Sequence, residues 1–279
     1  MRRPPRSAAT RGLLAVAAAL LFAVGVPVPA SAIVPIPPQP WLTPIPPRTV
    51  VAPHAGAVLC QQADVLCPDM AMRAPYQLTP DTYEGHRMLR AANAVLSIGK
   101  GAVEVRGTRT APRTMDAVQY LHRTGGQRSL AVPGGAGHIV FKLIPRQGRY
   151  WKFQNAAKFE LWTTGVNPTL VRTGEKLVYC LRDLRRLWDW KRSPEGPVYG
   201  ACSQSPRRTK VTLGTSPGWA DIYPAPYYDQ WIDVGGLRGC FDLLHIADPE
   251  NAIVESDESN NTSKTRIRLP MGRTRVSRC

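Results

Sequence analysis

Apolar residues in this chain fall in short runs separated by Gly, Pro and Asn, from about residue 59 onward. Strands cut by turns leave such a pattern; long amphipathic helices do not. Residues 102–105 alternate apolar with polar, and residues 138–144 form a longer, partly alternating run. Further strands are expected over residues 159–163, 176–180, 230–234, 241–246 and 265–269. Two stretches read as helices, residues 114–122 and residues 85–95. The sum predicts an all-β fold, an antiparallel β-sandwich with long loops.

The first residues follow another logic. Arg2, Arg3, Arg6 and Arg11 precede an apolar stretch over residues 13–26, and Ala30-Ser31-Ala32 offers small residues for cleavage. This is the form of a secretory signal, expected over residues 1–32 and too short for a comfortable membrane span. Residues 33–53 carry eight prolines. Such a run favours extended polyproline II and cannot pack a core alone. It is read as a spacer over residues 33–56, with one β-sandwich domain over residues 57–279. No second long apolar run follows, so no transmembrane segment is expected after cleavage. The chain should be secreted or extracytoplasmic, in the cell envelope.

Charge narrows the partners. Lys and Arg number 36 against 20 Asp and Glu, a net charge of +16, which loss of the four signal arginines lowers to +12. A basic exported surface suits acidic wall polymers or anionic lipid heads; nucleic acid is the least natural partner outside the cell. The clusters at residues 182–186 and 207–210 read as solvated surface. Six cysteines, Cys60, Cys67, Cys180, Cys202, Cys240 and Cys279, include no CxxC pair, which argues for disulfides over zinc. Proximity along the chain suggests Cys60–Cys67, Cys180–Cys202 and Cys240–Cys279.

Common catalytic signatures are missing. The glycines at residues 125–126 and 134–137 are not followed by a P-loop Lys-Ser/Thr, and no Gly-x-Ser-x-Gly occurs. The five histidines are dispersed; the closest two, His122 and His138, are 16 residues apart. His138 and His245 fall in expected strands and are the two to watch as ligands. Asn260-Asn261-Thr262 and Asn261-Thr262-Ser263 are glycosylation acceptor patterns read here as a hairpin turn.

Three blocks carry a resemblance. The first is "QGRYWKFQNAAKFELW" over residues 147–162, with Trp151, Phe153 and Phe159-Glu160-Leu161-Trp162. The second is "TGEKLVYCLRD", with Lys176 four residues before Cys180. The third is "GTSPGWADIYPAPYYDQWIDVGGLRGCFDLLHIADPENAIVESDESNN". Together they resemble the lysyl oxidase family, the copper- and quinone-dependent amine oxidases. The end of the third block also resembles the closing hairpin of small immunoglobulin-like adhesive modules.

The resemblance implies that Lys176 and Tyr223 are the two precursors of a lysine tyrosylquinone. Asp221 is then a candidate base, with capping of the loop before Tyr223 as its other role. It further implies three copper-binding histidines at alternate positions of the first block, which here are Gly148, Tyr150 and Lys152. Alternate strand residues share a face, so the spacing suits convergence on one ion. Glycine has no ligand atom, a protonated tyrosine is a poor ligand, and a lysine ammonium repels a cation, whereas imidazole suits copper. The expectation is therefore a secreted, catalytically degenerate lysyl-oxidase-like protein, with neither copper nor quinone expected. It would bind an amine-bearing or anionic polymer, or a protein, of the extracellular space or envelope. One alternative is an active copper/quinone-dependent oxidase turning protein lysines or primary amines into aldehydes, with release of hydrogen peroxide and ammonia. Another is a basic, envelope-associated adhesive module. Oligomeric state is left open.

Overall fold

Trp151, Phe159 and Leu161 are almost wholly removed from solvent, and all lie on one strand that crosses the middle of the larger sheet. A computed structural model describes residues 56–272 together with residues 276, 277 and 279. The expected signal over residues 1–32, almost all of the spacer over residues 33–56, and His54 lie outside these residues. All described residues belong to the unit Gln39–Cys279.

The described strands are β1 (Val65–Leu66), β2 (Met70–Met72), β3 (Tyr76–Tyr83), β4 (His86–Ser97), β5 (Val103–Ala111), β6 (Thr114–Arg123), β7 (Leu130–Ala131), β8 (His138–Ile144), β9 (Gly148–Thr163), β10 (Leu170–Thr173), β11 (Leu177–Tyr179), β12 (Arg185–Arg186), β13 (Lys210–Thr215), β14 (Trp219–Tyr223), β15 (Trp231–Asp233), β16 (Gly239–Ala247) and β17 (Thr262–Leu269). Helical structure among the described residues is confined to short 3-10 turns at Ala57–Gln61 and Thr124–Gly126. The expected antiparallel β-sandwich is the fold. Each expected strand is present: β8 has the expected bounds, β11 and β15 are shorter, and β5, β9, β16 and β17 are longer.

The larger sheet has the order β13-β5-β6-β8-β9-β16-β17, with β1 and β7 also on β6, and β10 and β11 also on β9. The smaller has the order β12-β14-β4-β15, with β2 and β3 also on β4. One apolar cluster joins them: Leu89, Val95 and Tyr223 from the smaller sheet meet Trp151, Phe153, Phe159 and Leu243 from the larger. β9 pairs with β8 from Ile139↔Phe153 to Ile144↔Gly148, then with β16 from Ala157↔Ala247 to Thr163↔Phe241. Between these stretches, two residues of β11 span Ala157 to Phe153, so β9 bulges near Asn155, which has φ 56°.

Both expected helices are strands. Residues 85–95 lie largely in β4, whose Ala91, Ala92 and Ala94 are good helix formers. Tertiary packing overrides that preference, because β4 is covered on both faces. Leu89, Ala91 and Val95 join the main core, and Ala94 and Leu96 join a second cluster with Ala71 and Ala220. A strand covered twice reads as a continuous apolar run, without alternation. Residues 114–122 lie in β6, where Met115, Ala117, Gln119 and Leu121 are buried in period two. Gln119 hid that period from the sequence. Its amide accepts from Val254 N–H and donates to Val254 C=O, both at 2.8 Å, so a polar side chain fills a core position with its hydrogen bonds made.

The three disulfides are Cys60–Cys67, Cys180–Cys202 and Cys240–Cys279, as proximity suggested. Of the basic clusters, residues 207–210 are exposed. Residues 182–186 are not all solvated: Asp183 is buried and accepts from the amides of Val198, Tyr199 and Ser216 and from the Ser216 hydroxyl. Four donors offset the cost of burying that carboxylate.

Candidate functional site

β14 ends on Tyr223, which is 5 % exposed. Its ring lies parallel to that of Tyr179, with centroids 3.8 Å apart and 12° between planes. Its hydroxyl accepts the backbone N–H of Cys180 at 2.6 Å. The Cys180–Cys202 disulfide anchors the segment that supplies this donor. Burial first, then the neighbouring Asp221, push the Tyr223 phenol well above its ordinary pKa, so it stays protonated at neutral pH.

Two residues earlier, Asp221 is 1 % exposed, and one carboxylate oxygen, Oδ2, has no hydrogen-bond partner. Burial raises its pKa to about 7, against the opposite pull of Tyr223, Arg182 and Lys152. It is therefore poised between acid and carboxylate near neutral pH.

Lys152 comes from β9. Trp151 and Phe153 are buried on one side of the strand, and the intervening Lys152 points the other way. Its ammonium lies 5.6 Å from the centroid of the Tyr223 ring. Burial brings its pKa down to about 8; Asp221 and Asp229 pull it up, while Lys142 and Arg182 push it further down. Lys152 makes no hydrogen bond or ion pair with a described residue. It lines a narrow crevice of about 10 Å³, room for roughly one water, with Tyr223, Tyr227, Tyr228 and Gln230. Asp229, on the same wall, is paired with Lys142 at 2.7 Å. A larger cleft, about 340 Å³, lies elsewhere, between the Gly235-Gly236 loop and the end of β17. The residues that the resemblance picks out are in the smaller one.

A polar group lies behind Tyr223. Asn93 on β4 donates to the Tyr179 hydroxyl at 2.8 Å and to Gln230. His245 Nε2 is 3.4 Å from the Tyr179 hydroxyl, and its ring stacks on Phe159 at 4.2 Å. Complete burial takes the His245 pKa down to about 3, so this histidine is neutral. Tyr179 and Gln230 fall within the blocks that carry the resemblance without being singled out there, and nothing in the sequence marks Asn93. Their convergence comes from strands far apart along the chain.

Of the residues expected at the site, Lys152, Asp221 and Tyr223 come together. Lys176 Nζ instead makes an ion pair with Glu250, with both side chains about half exposed. Its neighbours Leu177 and Val178, not Lys176, line the cleft with Tyr223. Tyr150 turns its hydroxyl to the Gln147 carbonyl at 2.8 Å. Gly148 closes the β8–β9 hairpin with φ 113°, a conformation that glycine adopts readily and other residues resist.

The remaining described histidines have other neighbours. His86 is 3.1 Å from Asp233, His122 is 3.0 Å from Glu104, and His138 is exposed 3.3 Å from Asp116. Among the described residues, no group of three or more His, Cys, Asp or Glu side chains is placed to hold a metal ion. The expected hairpin turn precedes β17, where Asn261 is 1 % exposed and donates to Glu255 and Glu258.

Compared with models of known protein families, residues 142–279 match the lysyl oxidase family. The match begins on β8 and takes in Lys152, Lys176, Tyr179, Asp221, Tyr223 and His245; Asn93 precedes it. No curated protein matches the chain.

Proposed function

We propose that this chain, lysyl-oxidase-like over residues 142–279, is an exported and catalytically degenerate relative of the copper- and quinone-dependent amine oxidases. In this reading it acts by binding an anionic or amine-bearing polymer of the extracellular space or envelope. The observation that carries the loss of catalysis is the donor chemistry at the three copper positions. Gly148 offers no donor atom and closes a hairpin at φ 113°. Tyr150 spends its hydroxyl on Gln147. Lys152 presents an ammonium toward Tyr223, and its charge would repel a cupric ion. These residues do not fit copper.

Two further observations agree. Tyr223 is a buried phenol held by the Cys180 amide, and Lys176 is engaged by Glu250. The net charge of +16, or +12 without the four signal arginines, supports an acidic partner. So does the larger cleft, whose lining includes Arg87 and Arg238, neither of them paired with a described residue.

Metal analysis of the purified protein, with intact mass, tests the reading. The expected result is no stoichiometric copper, and a mass equal to the processed chain with its disulfides. Stoichiometric copper together with a crosslinked Lys176–Tyr223 peptide would overturn it. For binding, the protein should be retained on a column of acidic polymer and released by salt.

A further inference from the structure

The cleft between the Gly235-Gly236 loop and the end of β17 has about 340 Å³ of space, within the range of roughly 300–1,000 Å³ that ligand pockets occupy. Backbone bonds fix its walls. Val234 N–H donates to the Arg87 carbonyl at 2.8 Å, Leu237 N–H donates to the Val234 carbonyl at 3.3 Å, and Gly239 pairs with Leu269 across β16 and β17. Val234, Leu269 and Met271 are buried and Leu237 is half-buried, so the lining is largely apolar.

Two charges interrupt it, Arg87 from β4 and Arg238 from the segment before β16, both exposed and neither paired with a described residue. No acidic residue is in the lining. Asp233, beside the wall, is already occupied: Oδ1 accepts the Gly235 N–H at 2.7 Å, and Oδ2 lies 3.1 Å from His86 Nδ1.

We infer that this cleft is a carboxylate-binding subsite for an acidic polypeptide. It takes glutamate-type side chains, with the carboxylate on Arg87 and Arg238 and the methylene stem on the apolar lining. It gives the polymer-binding reading proposed above a place and a partner, and it rests on that reading.

The chemistry of the lining selects this class. A guanidinium presents a planar fork that matches a carboxylate through two parallel N–H···O bonds. An arginine without an internal partner keeps that fork available. The other lining residues are Val, Gly, Leu, Pro and Met, whose side chains form no strong hydrogen bond. Sugar hydroxyls or phosphodiester ester oxygens pressed against them would lose water and gain no partner. A glutamate-type side chain has only methylenes behind its carboxylate, so nothing polar is stranded when the stem packs. The fixed walls lower the ordering cost of binding.

The test is calorimetric titration of the full, disulfide-bonded chain with poly-L-glutamate at low ionic strength, beside two double variants. Arg87→Gln with Arg238→Gln removes the cleft charges. Arg207→Gln with Arg208→Gln removes two exposed charges outside the cleft lining and controls for net charge. Affinity should fall at least about tenfold in the cleft variant and less than about threefold in the control. Equal losses in the two would overturn the subsite while leaving the polymer-binding reading to the basic surface as a whole. Binding of polygalacturonate or polyphosphate as tight as that of poly-L-glutamate, or tighter, would also overturn the subsite alone. If none of the three polymers binds, both readings fall. Phenylglyoxal labelling needs no variant: poly-L-glutamate should slow modification of Arg87 and Arg238 more than that of Arg207 and Arg208. Uniform protection of the four would count against the subsite.

Discussion

The ammonium of Lys152 sits 5.6 Å from the centre of the Tyr223 ring, on the side of β9 opposite the buried Trp151 and Phe153. A protonated amine so placed lends positive charge to the neighbourhood of Tyr223 and the buried Asp221. Its charge acts on Asp221 as well, favouring the carboxylate against the burial that raises the Asp221 pKa.

Restoring histidines should not simply restore the metal site. Tyr150→His with Lys152→His should fold, since both positions are regular strand. Adding Gly148→His forces φ 113° on a residue with a β-carbon. It should cost about 1–3 kcal/mol, read as a lower midpoint in thermal or denaturant unfolding. Copper titration should show no gain in affinity from the third histidine while the hairpin keeps its present form. A nanomolar site appearing only in the triple variant would contradict this.

Tyr223→Phe keeps the ring stacked on Tyr179 but removes the oxygen that accepts the Cys180 N–H. A buried amide is then left without its partner, at a cost of about 1–3 kcal/mol. Denaturant unfolding measures this loss. An unchanged midpoint would show that the amide finds another acceptor.

Asp221→Asn should stabilise the protein increasingly as pH rises. The folded carboxyl titrates near 7, well above the usual carboxylate value of 3.8, so the native state holds a proton that the unfolded chain has released. Its contribution is present below about pH 4 and is lost as pH climbs through about pH 7. The stability of Asp221→Asn relative to the natural chain should therefore grow across that window by a few kcal/mol, roughly the value of the shift. A flat difference between the two proteins would refute the buried-acid assignment.

His245 works in the opposite sense. Its pKa is depressed from 6.5 to about 3 by burial alone, so below about pH 6.5 the unfolded chain binds a proton that the folded one refuses. Stability should drain away as pH falls from there toward about pH 3. His245→Phe keeps an aromatic ring against Phe159 and removes the titration. Unfolding free energies measured against pH should fall less steeply for that variant over the same range.

What the sequence determined on its own was whatever is written locally. Short apolar runs bounded by turn residues located β8, β9 and β16, because turn residues and strand-forming side chains are written residue by residue. Short cysteine spacings marked the three disulfides, because nearby thiols meet at little entropic cost. The blocks around Trp151, Lys176 and Tyr223 carried the resemblance, and the lysyl oxidase model matches residues 142–279, which contain them. Packing decided the rest. Residues 85–95 and 114–122 carry helix-forming side chains and became strands, since burial on both faces of β4 and the bonds from Gln119 to Val254 outweigh intrinsic preference. Which lysine meets Tyr223 was likewise a tertiary outcome. Lys176 looked the natural partner by motif, yet Glu250 holds it at the surface while the pleat of β9 turns Lys152 toward the ring. Tyr179, Asn93, Gln230 and His245 are separated by up to 152 residues, from position 93 to position 245. Only the stacking of two sheets brings such groups within hydrogen-bonding distance, and no local pattern can encode it.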